Sequence, residues 1–487
     1  MIKITKVLQR RSGKAKSFGI LYTMEDCAEN RFQHDSEEMH DILRQISDLV
    51  KWREIFDDRG MELRNCITKT LSERAALEGD GEDAAGRHTY CTQRHCTLHS
   101  LPCLVPQTLA ASPSLGGVPA SPEQIMDLRK ILFGNTFHFF NYEWKKSVFR
   151  FRDPCSELSY ALQAERGGPG AVQMVVQANV IKFLLFTCQS QSNSNQLHSL
   201  GDKEQEQALA SALSDVLWVA GEEQAATVTL VTSMPSFFTL PGHQLDSITE
   251  RLHIFSFIRK EDMWKFIYEH IQCFQEEGSH GVILFLYSLV FSRTIDRLKD
   301  DLDSTTSHLL HLSQGNFVCH QALLNLLLTG RASPNVFNGT VQFDEAGAPL
   351  LQPLRGVLVR SNVGYLNWSW EQGPQTPLPQ VGSMLKTPKL PVWVCCINGT
   401  YSILFSLNRA LLSNWRTEHL FELHFYNGQP SQKRTAVLTI DTHSQHWEPR
   451  TTDAQGDLEK KFPSVDMTIR TKWEGAVINW NGVVPFF

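Results

Sequence analysis

Apolar positions recur along this chain with two different periods, and the stretches between them mark its divisions. From Asp35 the spacing is helical. Asp35 can cap a helix, Glu38 stands at its third position, and Met39, Ile42, Leu43, Ile46, Leu49 and Val50 share one face. Beyond Leu77 the pattern lapses. EGDGEDAAGRHTY and LAASPSLGGVPASPE are rich in Gly, Ala, Ser, Pro and Asp, which predicts a flexible linker over 79–120. It separates an N-terminal segment, 1–78, from a body at 121–487.

The body opens on SPEQIMDLRKILFG, with a capping serine at Ser121, a proline at the first helical position and a glycine stop. Further on, Val172, Val175, Val176, Ile181, Leu184 and Leu185 surround most of a helix, so it is predicted to be buried on nearly all sides. Strand patterns fall at 226–232, 251–257, 392–395, 401–407, 420–426, 435–440 and 467–471, and helices alternate with them to about Leu328. Residues 190–207 read as a surface loop. The acidic KDDLD run at 299–303 reads as the solvated end of an amphipathic helix. No internal repeat is found, and the body is a mixed α/β domain.

Composition narrows the function classes. The net charge of -6 and pI of about 6.3 leave no basic footprint for nucleic acid. The longest apolar run, GVILFLYSLVF, is too short to cross a bilayer, so no membrane is expected. The N-terminus, MIKITKVLQRRSGKAKSFG, is basic but lacks an apolar segment of signal-peptide length. Eleven scattered cysteines suit a reducing compartment, so cytoplasm or nucleus is expected and not secretion. The sequons at Asn338, Asn367 and Asn398 are then chance matches. Cys91, His95, Cys96, His99 and Cys103 are ligand types that zinc accepts, but their spacing fits no familiar finger. Neither a metal nor a cofactor is predicted.

The stretch RGGPGAVQMVVQANVIKFLLF joins a tight turn, Gly167, Gly168 and Pro169, to the buried helix. A helix N-terminus facing a cleft can lower a cysteine pKa through its free N–H groups and dipole. Gly170 sits where such a cysteine would go. Taken alone, the turn is structural.

Set against known families, this segment resembles the MINDY family of ubiquitin-specific cysteine proteases, in the branch of its third and fourth members. That branch carries a Gly-Gly-Pro-Cys turn entering an Ala/Val-rich helix with a Val-Gln pair. Gly167, Gly168, Pro169, Val172, Val176 and Gln177 match it, and Gly170 replaces the cysteine nucleophile. The resemblance continues through ILFGNTFHFFNYEWKKSVFRF, LLNLLLTGRASPNVFNG, VGYLNW, LKTPKLPVWVCC and IRTKWEGAVINWNGVVP, covering roughly residues 123 to 487. In PVWVCCINGTYSILFSL, Thr400 stands where the branch has its general-base histidine; His443 and other histidines lie elsewhere along the chain. Six residues before Gly170, Ala164 replaces an oxyanion-stabilising glutamine, and Gln163 is one place off.

The resemblance implies a papain-like cysteine-protease variant of the MINDY type, mixed α+β, with a flexible N-terminal extension. It also implies an inactive member. A threonine hydroxyl cannot take a proton from a thiol near neutral pH, and losing a nucleophile costs on the order of a million-fold in rate. The family's substrate implies ubiquitin or lysine-48-linked polyubiquitin as a retained partner. Two alternatives stand beside this one: an active thiol hydrolase with a rearranged site, and a scaffold that has lost ubiquitin. For the first, Cys188 is too far along the helix, Cys155 precedes the turn, and Cys395 and Cys396 would still need a histidine.

Overall fold

The computed structural model describes residues 109–486 apart from 113–114, 155, 189–196, 198–199, 234, 237–244, 345, 370–379, 445 and 449–462. The helix predicted from Asp35, the 91–103 cluster, Cys155 and most of the 79–120 stretch lie outside the described residues. The end of that stretch is tied into the body. Ala111 bridges Thr232, and β1 (Val118–Pro119) joins β2 (Ala226–Val231) and β3 (Leu252–Phe257) in a sheet of order β1-β3-β2.

Helix α1 (Pro122–Phe133) starts and stops as its sequence dictates. Ser121 Oγ accepts from Gln124 N–H at 3.2 Å, and the Gln124 side chain accepts in return from Ser121 N–H at 2.9 Å. Gly134, with φ 77, closes the far end in the left-handed region. A short α2 (Tyr142–Lys146) follows, then α3 (Gly168–Lys182), in which every residue is buried. The run Gly168–Thr187 is long and apolar enough to cross a bilayer by length and composition. Here it forms the centre of the core instead.

Next come α4 (Asp202–Ala220), α5 (Lys260–Glu269), α6 (Gln272–Gln275), α7 (Gly281–Arg293), α8 (Ile295–Asp301) and α9 (Gln321–Thr329). Helix α7 is largely apolar, with two serines one turn apart and Arg293 at its end. Ser288 and Ser292 accept from Thr229 and Thr227 N–H, both at 2.9 Å, so the open edge of β2 is satisfied by the helix beside it.

Two hairpins, β4 (Leu310–Ser313) with β5 (Asn316–Cys319) and β6 (Thr340–Phe343) with β7 (Pro349–Arg355), precede the main sheet. That sheet holds β8 (Gly364–Trp368), β9 (Val392–Ile397), β10 (Thr400–Phe405), β11 (Leu420–Tyr426), β12 (Ala436–Asp441) and β13 (Val477–Asn479) in the order β13-β12-β11-β10-β9-β8. Only the β8–β9 pair is parallel. Alternation splits each strand between two cores. Val392, Val394, Ile403 and Phe405 join the core around α3, whereas Trp393, Cys395 and Leu404 join a second core with Val465 and Ile469 of α11 (Ser464–Arg470). Between β8 and β9 lies α10 (Ser383–Lys386).

Three sequence expectations are corrected. Residues 467–471 belong mostly to α11, not a strand; Val465 and Ile469 fall one turn apart on its buried face, and Thr468 Oγ1 donates back to the Ser464 carbonyl at 2.8 Å. The 190–207 stretch is not all loop, because α4 begins at Asp202 and buries Gln205, whose amide donates to the Ser159 carbonyl at 2.6 Å. The KDDLD run is not simply solvated. Asp301 is buried and takes Arg293 Nε and Nη2 at 2.8 and 2.9 Å. Strands β4 to β8 and β13 carry little period-two signal and were not predicted.

Candidate functional site

Each residue of the turn before α3 has a physical reason to be what it is. Gly167 has φ 75 and ψ -144, a backbone state that disfavours any Cβ. A Cβ on Gly168 would run into the Phe317 carbonyl and the Trp144 ring. Those two groups hold each other through Trp144 Nε1, which donates to Phe317 O at 3.0 Å, while Cys319 Sγ donates to Gly168 O at 3.3 Å. Pro169 occupies the first turn of the helix, where its missing N–H costs nothing. Gly170 is different. A Cβ there would overlap the carbonyl oxygen of Glu165 and lie 3.0 Å from its carbon.

The segment that brings Glu165 so close is held by two buried amides on α3. Gln173 Oε1 accepts from Glu165 N–H at 2.7 Å, and its Nε2 donates to Val148 O at 2.8 Å. One turn along, Gln177 accepts from Leu162 N–H and donates to Tyr160 O at 3.1 Å. Gln177 was noticed in the sequence only as part of a motif. Its partner Gln173 was missed, although two amides four residues apart among the valines of a buried helix signal a polar contact made inside the core.

A cavity of ≈ 260 Å³ opens at the N-terminus of α3. Gly167, Gly170 and the 164–166 backbone form one wall, and Thr400 with Tyr401 forms another. Thr400 opens β10 directly after a two-residue turn, Asn398 (φ 49) and Gly399 (φ 76), the positive-φ pair that a tight hairpin needs. Ala164 N–H donates to Gly428 O at 3.2 Å, and the Ala164 methyl lies 2.6 Å from where a Gly428 Cβ would be. Gln163 does not line the cavity; it is exposed and donates to Phe151 O at 3.3 Å.

The third wall, Asn427 and Gln429, went unnoticed in the sequence. Its only local signal is the Asn-Gly-Gln-Pro turn after β11. Asn427 is buried and accepts from Gln429 N–H at 3.0 Å, and Arg152 Nη2 clamps Gln429 O at 2.5 Å.

Among the described residues, no thiol or imidazole lines this cavity. Among the described residues, burial pushes the Cys273 thiol up to about 11 and raises Cys319 and Cys395 further. Burial also raises Cys396, only partly offset by hydrogen bonds with Tyr365 and Tyr401. None of these is a thiolate near neutral pH. Cys188 lies beyond the far end of α3, on the order of 25 Å from Gly170 by helical rise. His424 packs on Phe405 and His443 stacks on His419, both away from the cavity. Among the described residues, the charged side chains lining the cavity are Glu165 and Arg166. Glu165 lies 3.6 Å from Lys146, which Glu143 holds at 2.7 Å.

The hairpin behind the turn carries a histidine cluster. The His311 and His320 rings are 4.4 Å apart, and His308 lies 5.2 Å from His320. Burial lowers the pKa of all three, and neighbouring imidazoles lower His320 further, to about 4. A proton on His320 would also face the N-terminus of α9. The unfolded chain takes up these protons near pH 6.5 while the fold refuses them. Stability is therefore expected to fall as pH drops from about 6.5 to about 4. Urea midpoints at pH 7.5 and pH 5 check this, and His320→Gln should flatten the difference.

A family model described as "Deubiquitinating enzyme MINDY-3/4, conserved domain" matches residues 129–482. The chain belongs to the MINDY-3/4 deubiquitinase family. Curated MINDY-4 proteins, each titled "Probable ubiquitin carboxyl-terminal hydrolase MINDY-4", are 38% identical over 359 residues in Mus musculus and in Homo sapiens. These matches cover 74% of this chain and 46% and 45% of the relatives, so the chain spans about half their length. The Danio rerio "Ubiquitin carboxyl-terminal hydrolase MINDY-3" is 27% identical over 276 residues, covering 52% of this chain and 58% of that protein. No solved structure matches the chain significantly. The MINDY-3/4 match takes in all three walls of the cavity.

Proposed function

We propose that this MINDY-3/4 domain is a pseudo-deubiquitinase: it binds ubiquitin or lysine-48-linked polyubiquitin and does not cleave it. Gly170 occupies the nucleophile's position, Thr400 that of the base and Ala164 that of the oxyanion donor. The observation that carries this is the shared cavity. Gly170 and Ala164, from the first turn of a buried helix and the approach to it, share one space at the helix N-terminus with Thr400 from a strand far along the chain, and none of the three offers a thiol, an imidazole or a side-chain amide. Nucleophile and base act as one unit, so their joint absence leaves at most the contribution of binding and orientation.

The scaffold supports retained binding. The features around the empty positions, from Gly167 to the Asn398-Gly399 turn, are kept in working order by specific contacts rather than eroded. The test uses the full chain with lysine-48-linked tetra-ubiquitin and a ubiquitin probe bearing a thiol-reactive C-terminus. Expected are saturable binding, no shortened chains and no covalent adduct at high protein concentration. An adduct would establish a rearranged active site. No saturable signal up to millimolar ubiquitin would leave a scaffold without this ligand.

A further inference from the structure

The closing motif block, Ile-Asn-Trp-Asn-Gly-Val-Val-Pro at 478–485, takes no part in the cavity at Gly170. Its turn is made by Asn481 (φ 53) and Gly482 (φ 83), and Asn481 Nδ2 fixes it by donating to Val437 O at 3.0 Å. Beyond the turn the Phe486 ring leans on Phe425 and Trp480, with ring centres 5.6 and 5.7 Å away. Val483 and Phe486 stay half-buried. With Ala436 of β12 they give a second cavity, of ≈ 380 Å³, its apolar lining.

Lys433 and Arg434 line the same cavity. Both are exposed, and among the described residues neither forms an ion pair and no carboxylate lines the space. Two cations on a hairpin loop are ordinarily a solvated tip. This loop, however, is tied down from inside. Gln432 is buried within it, accepting from Asn427 N–H at 2.8 Å and donating to Phe425 O at 2.9 Å and Arg434 O at 3.0 Å. The backbone that carries both cations is thus held beside the apolar lining before any ligand arrives, which lowers the cost of binding one. The cavity also shares Asn427 and Gln429 with the one at Gly170. The two spaces border one loop, and together they suit a stretch of extended polypeptide better than a compact ion.

We propose that this second cavity docks an acidic peptide segment, with a bulky apolar side chain against Val483, Phe486 and Ala436 and the neighbouring carboxylates on Lys433 and Arg434. Charge decides the class of partner. An ammonium and a guanidinium without a counter-ion attract carboxylates and reject a basic segment. The guanidinium can take a carboxylate through two parallel N–H donors, and the apolar lining selects against a segment that is acidic alone. The site uses none of Gly170, Thr400 and Ala164, so it stands or falls independently of the pseudo-deubiquitinase assignment.

The test titrates the full chain into a fluorescein-labelled, capped peptide, Glu-Asp-Phe-Leu-Asp-Glu, at constant ionic strength, with anisotropy as the readout. Saturable binding is expected, weakened at least about tenfold by the double variant Lys433→Gln, Arg434→Gln. Both side chains are exposed, so this variant should fold normally, which a thermal melt checks. Two altered peptides separate the components. Amides in place of the acids, or serines in place of Phe-Leu, should each weaken binding at least about tenfold. No saturable signal up to millimolar protein, binding that the double variant leaves unchanged, or either altered peptide binding as well as the first would overturn the proposal.

Discussion

The triple variant Gly170→Cys, Thr400→His, Ala164→Gln is expected to cleave lysine-48-linked tetra-ubiquitin at least about a hundredfold faster than the native chain, recovering part of the roughly million-fold that a missing nucleophile costs. The geometry favours the chemistry. A thiol at 170 would stand in the first turn of a long buried helix, whose unpaired N–H groups stabilise a thiolate. An imidazole at 400 would enter the same cavity from the start of β10.

What resists is the backbone. The Glu165 carbonyl occupies the place of the missing Cβ, and it is not free to drift. Gln173 holds Glu165 N–H at 2.7 Å, and the Gly428 carbonyl holds Ala164 N–H at 3.2 Å. Gly170→Cys alone should therefore lose about 1–3 kcal/mol of stability, as overpacking against fixed atoms does, and remain inactive. Chain cleavage read on gels, with thermal melts of each variant, separates the two effects. A triple variant that folds and binds ubiquitin yet releases no shorter chains would mean that Gly170 and Thr400 do not hold the assigned roles.

Replacing Gln177 by Leu should be the most damaging single change to the scaffold, at about 2–5 kcal/mol. The leucine fills similar volume but leaves Leu162 N–H and Tyr160 C=O buried without partners. Gln173→Leu does the same to Glu165 N–H and Val148 C=O, with a smaller expected loss because Glu165 is exposed at the rim. Urea unfolding of the full chain measures both. A loss below about 1 kcal/mol at Gln177 would show that these amides do not anchor the approach to the turn.

Local structure was legible in the sequence wherever a few neighbouring residues suffice to specify it. Ser121, Pro122, Gln124 and Gly134 define α1 by themselves, and the apolar residues spread around α3 announce burial on nearly all sides. Strands β9 to β12 were readable because they are long and rich in branched and aromatic residues. The misreadings have the same origin. Met467 to Thr471 alternates like a strand over a window too short to show that Val465 and Ile469 repeat with a helical period. Asp301 looks like any surface acid until Arg293, eight positions earlier, is folded against it.

The sequence by itself determined the turn and its missing side chain: Gly167, Gly168 and Pro169 mark a turn before a helix, and 170 carries no nucleophile whatever the fold. Tertiary structure decided everything that depends on distance across the chain. It brought Thr400 and Ala164 to the cavity of Gly170, supplied Asn427 and Gln429 as a wall, turned Gln163 outward and filled the Cβ position with a carbonyl. The reason is physical. Backbone sterics and periodicity act over a few residues, whereas the meeting of β10, β11 and the helix start is set by sheet register and core packing.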